Sequence, residues 1–119
     1  MAERTVQACL SDLPKAVKIG AYDWAVCIED EGDGLCGQAD FSTHRLRVWP
    51  KNLNDRGHAV GVVLHECLHV IFENYGLSKP PKRGAGNREE AIIMAFEAGL
   101  VSLLRDNRKF VDWLRKWLR

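Results

Sequence analysis

Apolar residues recur along this chain with two different periods, and the change of period separates helical from extended segments. Residues 3–13, ERTVQACLSDL, carry apolar side chains at helical spacing and are followed by a proline, which predicts a short N-terminal helix. Residues 18–30, KIGAYDWAVCIED, are rich in β-branched and aromatic residues and predict a strand. In residues 44–50, HRLRVWP, apolar and basic residues alternate and predict another strand. An acidic turn separates the two, so a small antiparallel sheet is expected.

The segment after this sheet has the pattern of a long helix. Asn54 or Asp55 can accept hydrogen bonds from the first free backbone N–H groups of that helix, which then runs to about Tyr75. Gly76 follows, and glycine commonly adopts the left-handed conformation that ends a helix. Apolar residues surround most of this segment, which predicts that the helix lies largely in the core.

Two more helices are predicted in the last part of the chain. Residues 88–107, REEAIIMAFEAGLVSLLRDN, have one continuous helical pattern, and residues 108–119, RKFVDWLRKWLR, form a shorter amphipathic helix. The Pro- and Gly-rich residues 78–87 before them predict a non-helical connector. The expected fold class is α+β, with a small antiparallel sheet packed on the two long helices and short helices at both ends.

The composition indicates one soluble globular domain. A chain of 119 residues is long enough for one modest core, and 46% hydrophobic with 28% charged residues is typical of a globular protein. We therefore interpret residues 1–119 as a single domain. No N-terminal apolar signal region and no run of about 18 apolar residues is present, so we expect no membrane span and a cytoplasmic location. The four cysteines are then expected to be reduced and to act as small buried hydrophobes.

The strongest chemical signal is VLHECLHVI, residues 63–71, within the first long helix. His65 and His69 are four residues apart, which places them about 40° apart around a helix and roughly 6 Å apart along it. Their imidazoles can therefore converge on one zinc ion, and a catalytic zinc site uses three protein ligands and one water. Glu66 lies beside His65, close enough to take a proton from that water. Because the surrounding residues are apolar, these polar groups need partners, which favours a metal site over a chance spacing.

HECLH matches the HExxH signature of the zincin metallopeptidases. A short sheet, the motif helix, a connector and a second helix that begins with acids resemble the minimal zincin-like proteins often encoded by phages and prophages. The outline is also similar to that of the ImmA/IrrE-like peptidases, and the resemblance covers roughly residues 19–107. It implies His65 and His69 as zinc ligands, Glu66 as general base, and a glutamate of the next helix as third ligand.

The third zinc ligand stays open among Glu89, Glu90 and Glu97. The metzincin pattern HExxHxxGxxH is excluded, because Phe72 and Tyr75 stand where its glycine and its last histidine would be. The three glutamates lie on the next predicted helix, which is the first element after the connector that can return an oxygen ligand to the zinc.

Glu90 is the preferred candidate among these three acids. Followed by Ala91, it best resembles the glutamate–alanine pair of gluzincins, although Met94 replaces the acid expected four residues later. Glu97 falls inside the bulky apolar face of the helix, where its carboxylate is better placed to hydrogen-bond a zinc-bound imidazole than to bind the metal. That face centres near three residues: Ile93, Leu100 and Leu104.

These features predict a zinc metallopeptidase, with one zinc per chain, that hydrolyses peptide bonds in a protein or peptide substrate. The strand at residues 44–50 is expected to hold the substrate as an added strand, with residues 78–87 as a mobile rim. The alternative is a non-catalytic regulatory or binding module with a structural zinc, whose basic C-terminal helix contacts nucleic acid or a protein partner. Such a helix more often packs on its own domain, so nucleic-acid binding is the less favoured interpretation. The sequence carries no signal for the oligomeric state.

Overall fold

The computed structural model describes residues 2–32, 34–77 and 88–118, and this part of the chain has an α+β architecture of four helices and one four-stranded sheet. The elements follow in the order α1 (Ala2–Ser11), β1 (Ala16–Ile19), β2 (Tyr22–Ile28), β3 (Gly37–Asp40), β4 (Arg45–Val48), α2 (Arg56–Asn74), α3 (Arg88–Asp106) and α4 (Arg108–Trp117). The four predicted helices are confirmed. Residues 78–87, expected to form a mobile rim, lie outside the described residues. None of the described helices is long and apolar enough to cross a membrane.

The sheet is mixed, which corrects the predicted antiparallel sheet. Its strand order is β1-β2-β4-β3, and β1 and β2 are antiparallel, as are β3 and β4, whereas β2 and β4 are parallel. The single strand predicted over residues 18–30 is in fact two strands, because Gly20 adopts a left-handed φ of 65° and turns the chain between β1 and β2. Each hairpin is a local structure, but the pairing of β2 with β4 joins the two hairpins and is decided by their common packing against the helices.

One face of the sheet carries the apolar core. The strand register places Val17 opposite Trp24 and Val26 opposite Leu46, so these side chains share one face. Helix α2 packs against the sheet. Its buried surface includes a row of small and β-branched residues: Ala59, Val60, Val63, Cys67 and Val70. This packing fixes α2 along one side and leaves His65 and His69 on its exposed side.

Helix α2 begins and ends where the sequence predicts. The carboxylate of Asp55 accepts a hydrogen bond of 2.8 Å from the backbone N–H of His58, and Gly76 adopts a left-handed φ of 69° just after the last turn. The HExxH motif therefore lies in the middle of a helix that is defined at both ends.

Helix α4 packs on its own domain, as favoured from the sequence. Phe110 and Trp113 are buried, and the indole N–H of Trp113 donates a 2.7 Å hydrogen bond to the carbonyl of Cys9 in α1. Lys116 forms an ion pair of 2.6 Å with Asp12, which ties the basic side of α4 to the residue just after α1. These contacts hold α4 against α1 in the same domain.

The buried face of α3 differs from the predicted one. Ile93 and Leu104 are about half exposed, and Glu97 is exposed as well. The buried residues are instead Ala95, Gly99 and Leu103. The reason is close packing at Gly99, where a Cβ atom would lie only 2.4 Å from Cγ2 of Ile71. The helix thus turns its small residues toward α2, and the expectation that Glu97 lies in the buried apolar face is wrong.

The four cysteines have free thiols. Cys9 and Cys67 are buried, and burial is the main cause that raises the pKa of the Cys9 thiol to about 11 and that of the Cys67 thiol to about 12. Cys27 and Cys36 are only half-buried. The interpretation of the cysteines as buried hydrophobes therefore holds for the first pair and only partly for the second.

Candidate metal centre

His65 and His69 meet on the exposed side of α2. Their Nε2 atoms are 3.0 Å apart, and their rings are nearly perpendicular, with centroids 4.7 Å apart. Two nitrogen ligands at about 2.0–2.1 Å from a tetrahedral zinc would be about 3.3 Å apart, so the observed separation is close to that of a chelating pair. The two imidazoles predicted to converge on one point are brought together by the helix itself.

Glu66 lies beside this pair on the side of α2 that faces the sheet. It is only 7% exposed, and its carboxylate accepts a hydrogen bond from the backbone N–H of Ala39 in β3. Burial raises the pKa of the Glu66 carboxyl above its ordinary value, while the nearby His65 and His69 and the Ala39 N–H act in the opposite direction. Glu66 is therefore a buried carboxylate held next to two imidazoles, the placement expected of a general base.

The close approach of β3 to Glu66 depends on Gly37. A Cβ atom at this position would lie 2.7 Å from Cγ1 of Val62 and 3.1 Å from Oε2 of Glu66. Only glycine leaves room for both side chains without a shift of the strand or the helix. The roles of Gly37 and Ala39 could not be predicted from the sequence, because they depend on tertiary contact and have no local signal.

The outer edge of β3 runs past His65 and Glu66. Within the described part of the chain, β3 pairs only with β4. The backbone N–H of Trp49 bonds the carbonyl of Cys36, so by the alternation of an antiparallel ladder the N–H and C=O groups of Gly37 and Ala39 point away from β4. One of these groups, the Ala39 N–H, is the donor to Glu66. Among the described residues, the edge of β3 that pairs with no strand therefore lies next to His65 and Glu66.

Two hollows flank the histidine pair. The first, of about 420 Å³, is called the β3-side hollow and is lined by Cys36, Gly37, His58, Val62, His65 and Glu66. The second, of about 290 Å³, is called the α3-side hollow and is lined by His65, Leu68, His69, Phe72 and Phe96. They lie on opposite sides because Val62 and Glu66 project from α2 on one side of His65 and Leu68 projects on the other.

The three candidate third ligands all lie on α3. Glu89, Glu90 and Glu97 are exposed, and among the described residues no group of three or more His, Cys, Asp or Glu side chains is arranged to hold a metal ion. The α3 residue that lies beside the histidines is Phe96. Glu89 shares the face of Phe96 two turns earlier, whereas Glu90 is rotated from Phe96 by about 120° around the helix axis. Among residues 2–32, 34–77 and 88–118, the donors placed together for zinc are therefore the two imidazoles.

No family model, curated protein or solved structure matches this chain. The functional conclusion therefore rests on the geometry of His65, Glu66 and His69.

Proposed function

We propose that this chain is a zinc-dependent metallopeptidase of the minimal zincin type. The observation that carries the proposal is the convergence of the His65 and His69 Nε2 atoms at 3.0 Å, with the buried carboxylate of Glu66 beside them. Two converging imidazoles that are exposed to solvent suit a metal that must be reached by a substrate.

Each of the three motif residues has a separate task in peptide hydrolysis. His65 and His69 would hold the zinc ion, which when bound polarises the scissile carbonyl and lowers the pKa of water. Glu66 takes a proton from the attacking water and passes it to the leaving amine. Its burial against β3 keeps the carboxylate in place, and its hydrogen bond to the Ala39 N–H fixes one of its oxygens.

The proposed substrate strand adds to β3 rather than to β4. The sequence predicts this role for the strand at residues 44–50, but β4 is an inner strand, paired with β2 on one side and with β3 on the other. In the described part of the chain, the edge of β3 that pairs with no other strand runs beside Glu66. It presents the outward N–H and C=O groups of Gly37 and the outward C=O group of Ala39, whose N–H is bonded to Glu66. A peptide paired there would lie across the histidines with its backbone held by hydrogen bonds.

Peptide cleavage measured with and without zinc tests whether the chain is a metallopeptidase. We expect the zinc-loaded chain to cleave a pool of random quenched fluorescent peptides, to lose this activity on removal of zinc by a chelator, and to regain it when zinc is returned. A chain that binds zinc but cleaves no peptide in the pool would contradict the proposal that it is a peptidase.

Glu90 remains the proposed third ligand because Glu90 and Ala91 resemble the glutamate–alanine pair of gluzincins, although Glu89 is the acid on the face of Phe96. Three variants test the choice. Glu90→Ala is expected to weaken zinc affinity far more than Glu89→Ala. The sequence predicts an intermediate effect for Glu97→Ala, but Glu97 is exposed on α3 rather than buried beside the histidines, so its removal should now change zinc affinity little. Competition against a chromophoric chelator measures all three affinities. If Glu90→Ala binds zinc like the parent while Glu89→Ala does not, the ligand is the glutamate on the face of Phe96, and the Glu90 assignment is wrong.

The alternative function is a regulatory or binding module with a structural zinc. It draws on an open cleft of about 700 Å³ between the start of α2 and the end of α4, which Arg56, Arg115 and Lys116 line together with Asp112 and Trp117. Such a cleft suits a phosphate backbone or an acidic partner. The two functions predict different zinc environments, because a water ligand supports the enzyme and a fourth protein ligand supports the structural site.

A further inference from the structure

Helix α3 turns small residues toward α2 and bulky apolar residues toward solvent. Gly99 faces Ile71 of α2, and Ala95 and Leu103 are buried on the same side of α3. On the opposite side, four large apolar side chains are between 45% and 58% exposed within the described part of the chain: Ile93, Met94, Val101 and Leu104. A group of exposed apolar side chains that is bordered by charged residues marks a surface for a partner.

These apolar residues and two charged residues form one continuous face of α3, which is called the outer stripe. The outer stripe consists of Ile93, Met94, Glu97, Val101, Leu104 and Arg105. At about 100° per residue, all six lie within about 60° of the direction opposite Gly99. The rise of 1.5 Å per residue makes the outer stripe about 18 Å long. It points away from α2, so a partner bound there need not cover His65 and His69.

The outer stripe has the same spacing when it is followed in either direction from the level of Gly99. Met94 and Leu104 each lie five residues from Gly99. Ile93 and Arg105 each lie six residues from it. A two-fold axis at this level would therefore place the apolar residues of one copy at the same height as the stripe residues of an antiparallel second copy. A closed dimer requires such a self-complementary surface, because both subunits use the same residues.

The charges of the outer stripe favour the antiparallel arrangement. Glu97 lies in the first half of the stripe and Arg105 in the second half. Two antiparallel copies would place Arg105 of each within about one helical turn of Glu97 of the other, whereas parallel copies would place like charges at the same height. Arg105 contacts Asp106 of its own chain through Nε, and a guanidinium group has further N–H donors for a second carboxylate.

We propose that the outer stripe is the interface of a homodimer, in which two copies of α3 pack antiparallel about a two-fold axis near the level of Gly99. Dimer formation removes the exposed apolar side chains from water and brings opposite charges together. One face of one helix is small for a protein–protein interface, so the dimer is weak and its fraction rises with protein concentration. The proposal goes beyond the peptidase function and does not depend on it.

Sedimentation velocity of the full chain at a series of protein concentrations tests the dimer. A chelator is present throughout, because zinc held between histidines of two chains would also join them. The parent chain is expected to show a monomer–dimer equilibrium. Leu104→Asp should weaken it by roughly 100-fold or more, since the symmetry places the change on both sides of the interface. Leu35→Asp is the matched control, because Leu35 and Leu104 are both 45% exposed and Leu35 lies outside α3.

Charge reversal tests the antiparallel arrangement. Glu97→Arg and Arg105→Glu are each expected to weaken the dimer by about 3- to 10-fold, because each places like charges near one another across the interface. The double variant exchanges the two charges and should recover most of the parent affinity. A double variant no stronger than the single ones would contradict the antiparallel pairing.

The remaining outcomes decide between the dimer and other uses of the outer stripe. A parent chain that stays monomeric at the highest concentration would overturn the dimer, and flotation of that monomer with phosphatidylcholine vesicles would assign the stripe to a lipid surface instead. A dimer that persists in Leu104→Asp, or that is lost equally in Leu35→Asp, would also overturn the proposal. Circular dichroism verifies the fold of each variant. If Leu104→Asp does not fold, the charge variants decide.

Discussion

Glu66→Gln is expected to abolish peptide hydrolysis while the protein keeps its zinc. The amide is nearly the same size as the carboxylate, so it can remain in the 7% exposed site against β3, but it cannot accept the proton of the attacking water. Loss of a general base typically costs about 100- to 10,000-fold in rate, so the remaining activity should be close to background. Initial rates on quenched peptides and zinc content by elemental analysis give the two readings.

Glu73→Gln is the matched control for this variant. Glu73 lies on the same helix, one turn beyond His69, and is exposed. Its change to glutamine should leave both rate and zinc content near those of the parent. If Glu66→Gln loses zinc together with activity, Glu66 is a metal ligand and not the base. If Glu66→Gln keeps both, the carboxylate has no part in the reaction.

His69→Ala is expected to remove zinc binding at ordinary concentrations. Only two imidazoles converge in the described part of the chain, so the loss of one leaves a single nitrogen ligand on α2. The fall in affinity should exceed the roughly 100-fold that the loss of a hydrogen-bond partner of a ligand costs. Zinc affinity by chelator competition, with circular dichroism to verify the fold, measures the effect.

His58→Ala provides a histidine control on the same helix. The Nδ1 atom of His58 accepts a 3.1 Å hydrogen bond from the backbone N–H of Asn54, so its ring is engaged at the start of α2, two turns before His65. Its removal should leave zinc affinity nearly unchanged. Equal zinc binding by His69→Ala and the parent would show that the converging imidazoles do not hold the metal.

The helices could be predicted because their signals are local. Asp55 and Gly76 fix the two ends of α2 by contacts within a few residues, and the spacing of His65 and His69 sets their convergence without help from the rest of the fold. Both ends can be recognised by residue type. Asp is one of the residues that accept hydrogen bonds from the first N–H groups of a helix, and Gly readily adopts the left-handed conformation that ends one.

The sheet order and the face of α3 could not be predicted for the opposite reason. The parallel pairing of β2 with β4 joins two hairpins, and each hairpin forms between strands that are neighbours in the sequence. No turn residue predicts which strands of the two hairpins pair with each other. For α3, the bulky residues suggested a buried face near Leu100, but the close contact of Gly99 with Ile71 turns a row of small residues inward. A rule that ranks faces by side-chain bulk does not detect packing that depends on a small residue.

The surroundings of the motif also depend on tertiary structure. Gly37 and Ala39 carry no sequence pattern that links them to Glu66, since the contact arises only when β3 lies along α2. The third ligand depends in the same way on how α3 is placed against α2. The motif thus predicts the two imidazoles and the base, whereas the rest of the site follows from the packing of β3 and α3 around them.

The most direct measurement is the zinc content and zinc coordination of the purified chain, by elemental analysis and X-ray absorption spectroscopy. We expect about one zinc per chain, bound by two imidazole nitrogens, with oxygen ligands that include water in the remaining positions. A protein that contains no zinc and takes none up on titration would contradict the assignment of His65 and His69 as metal ligands.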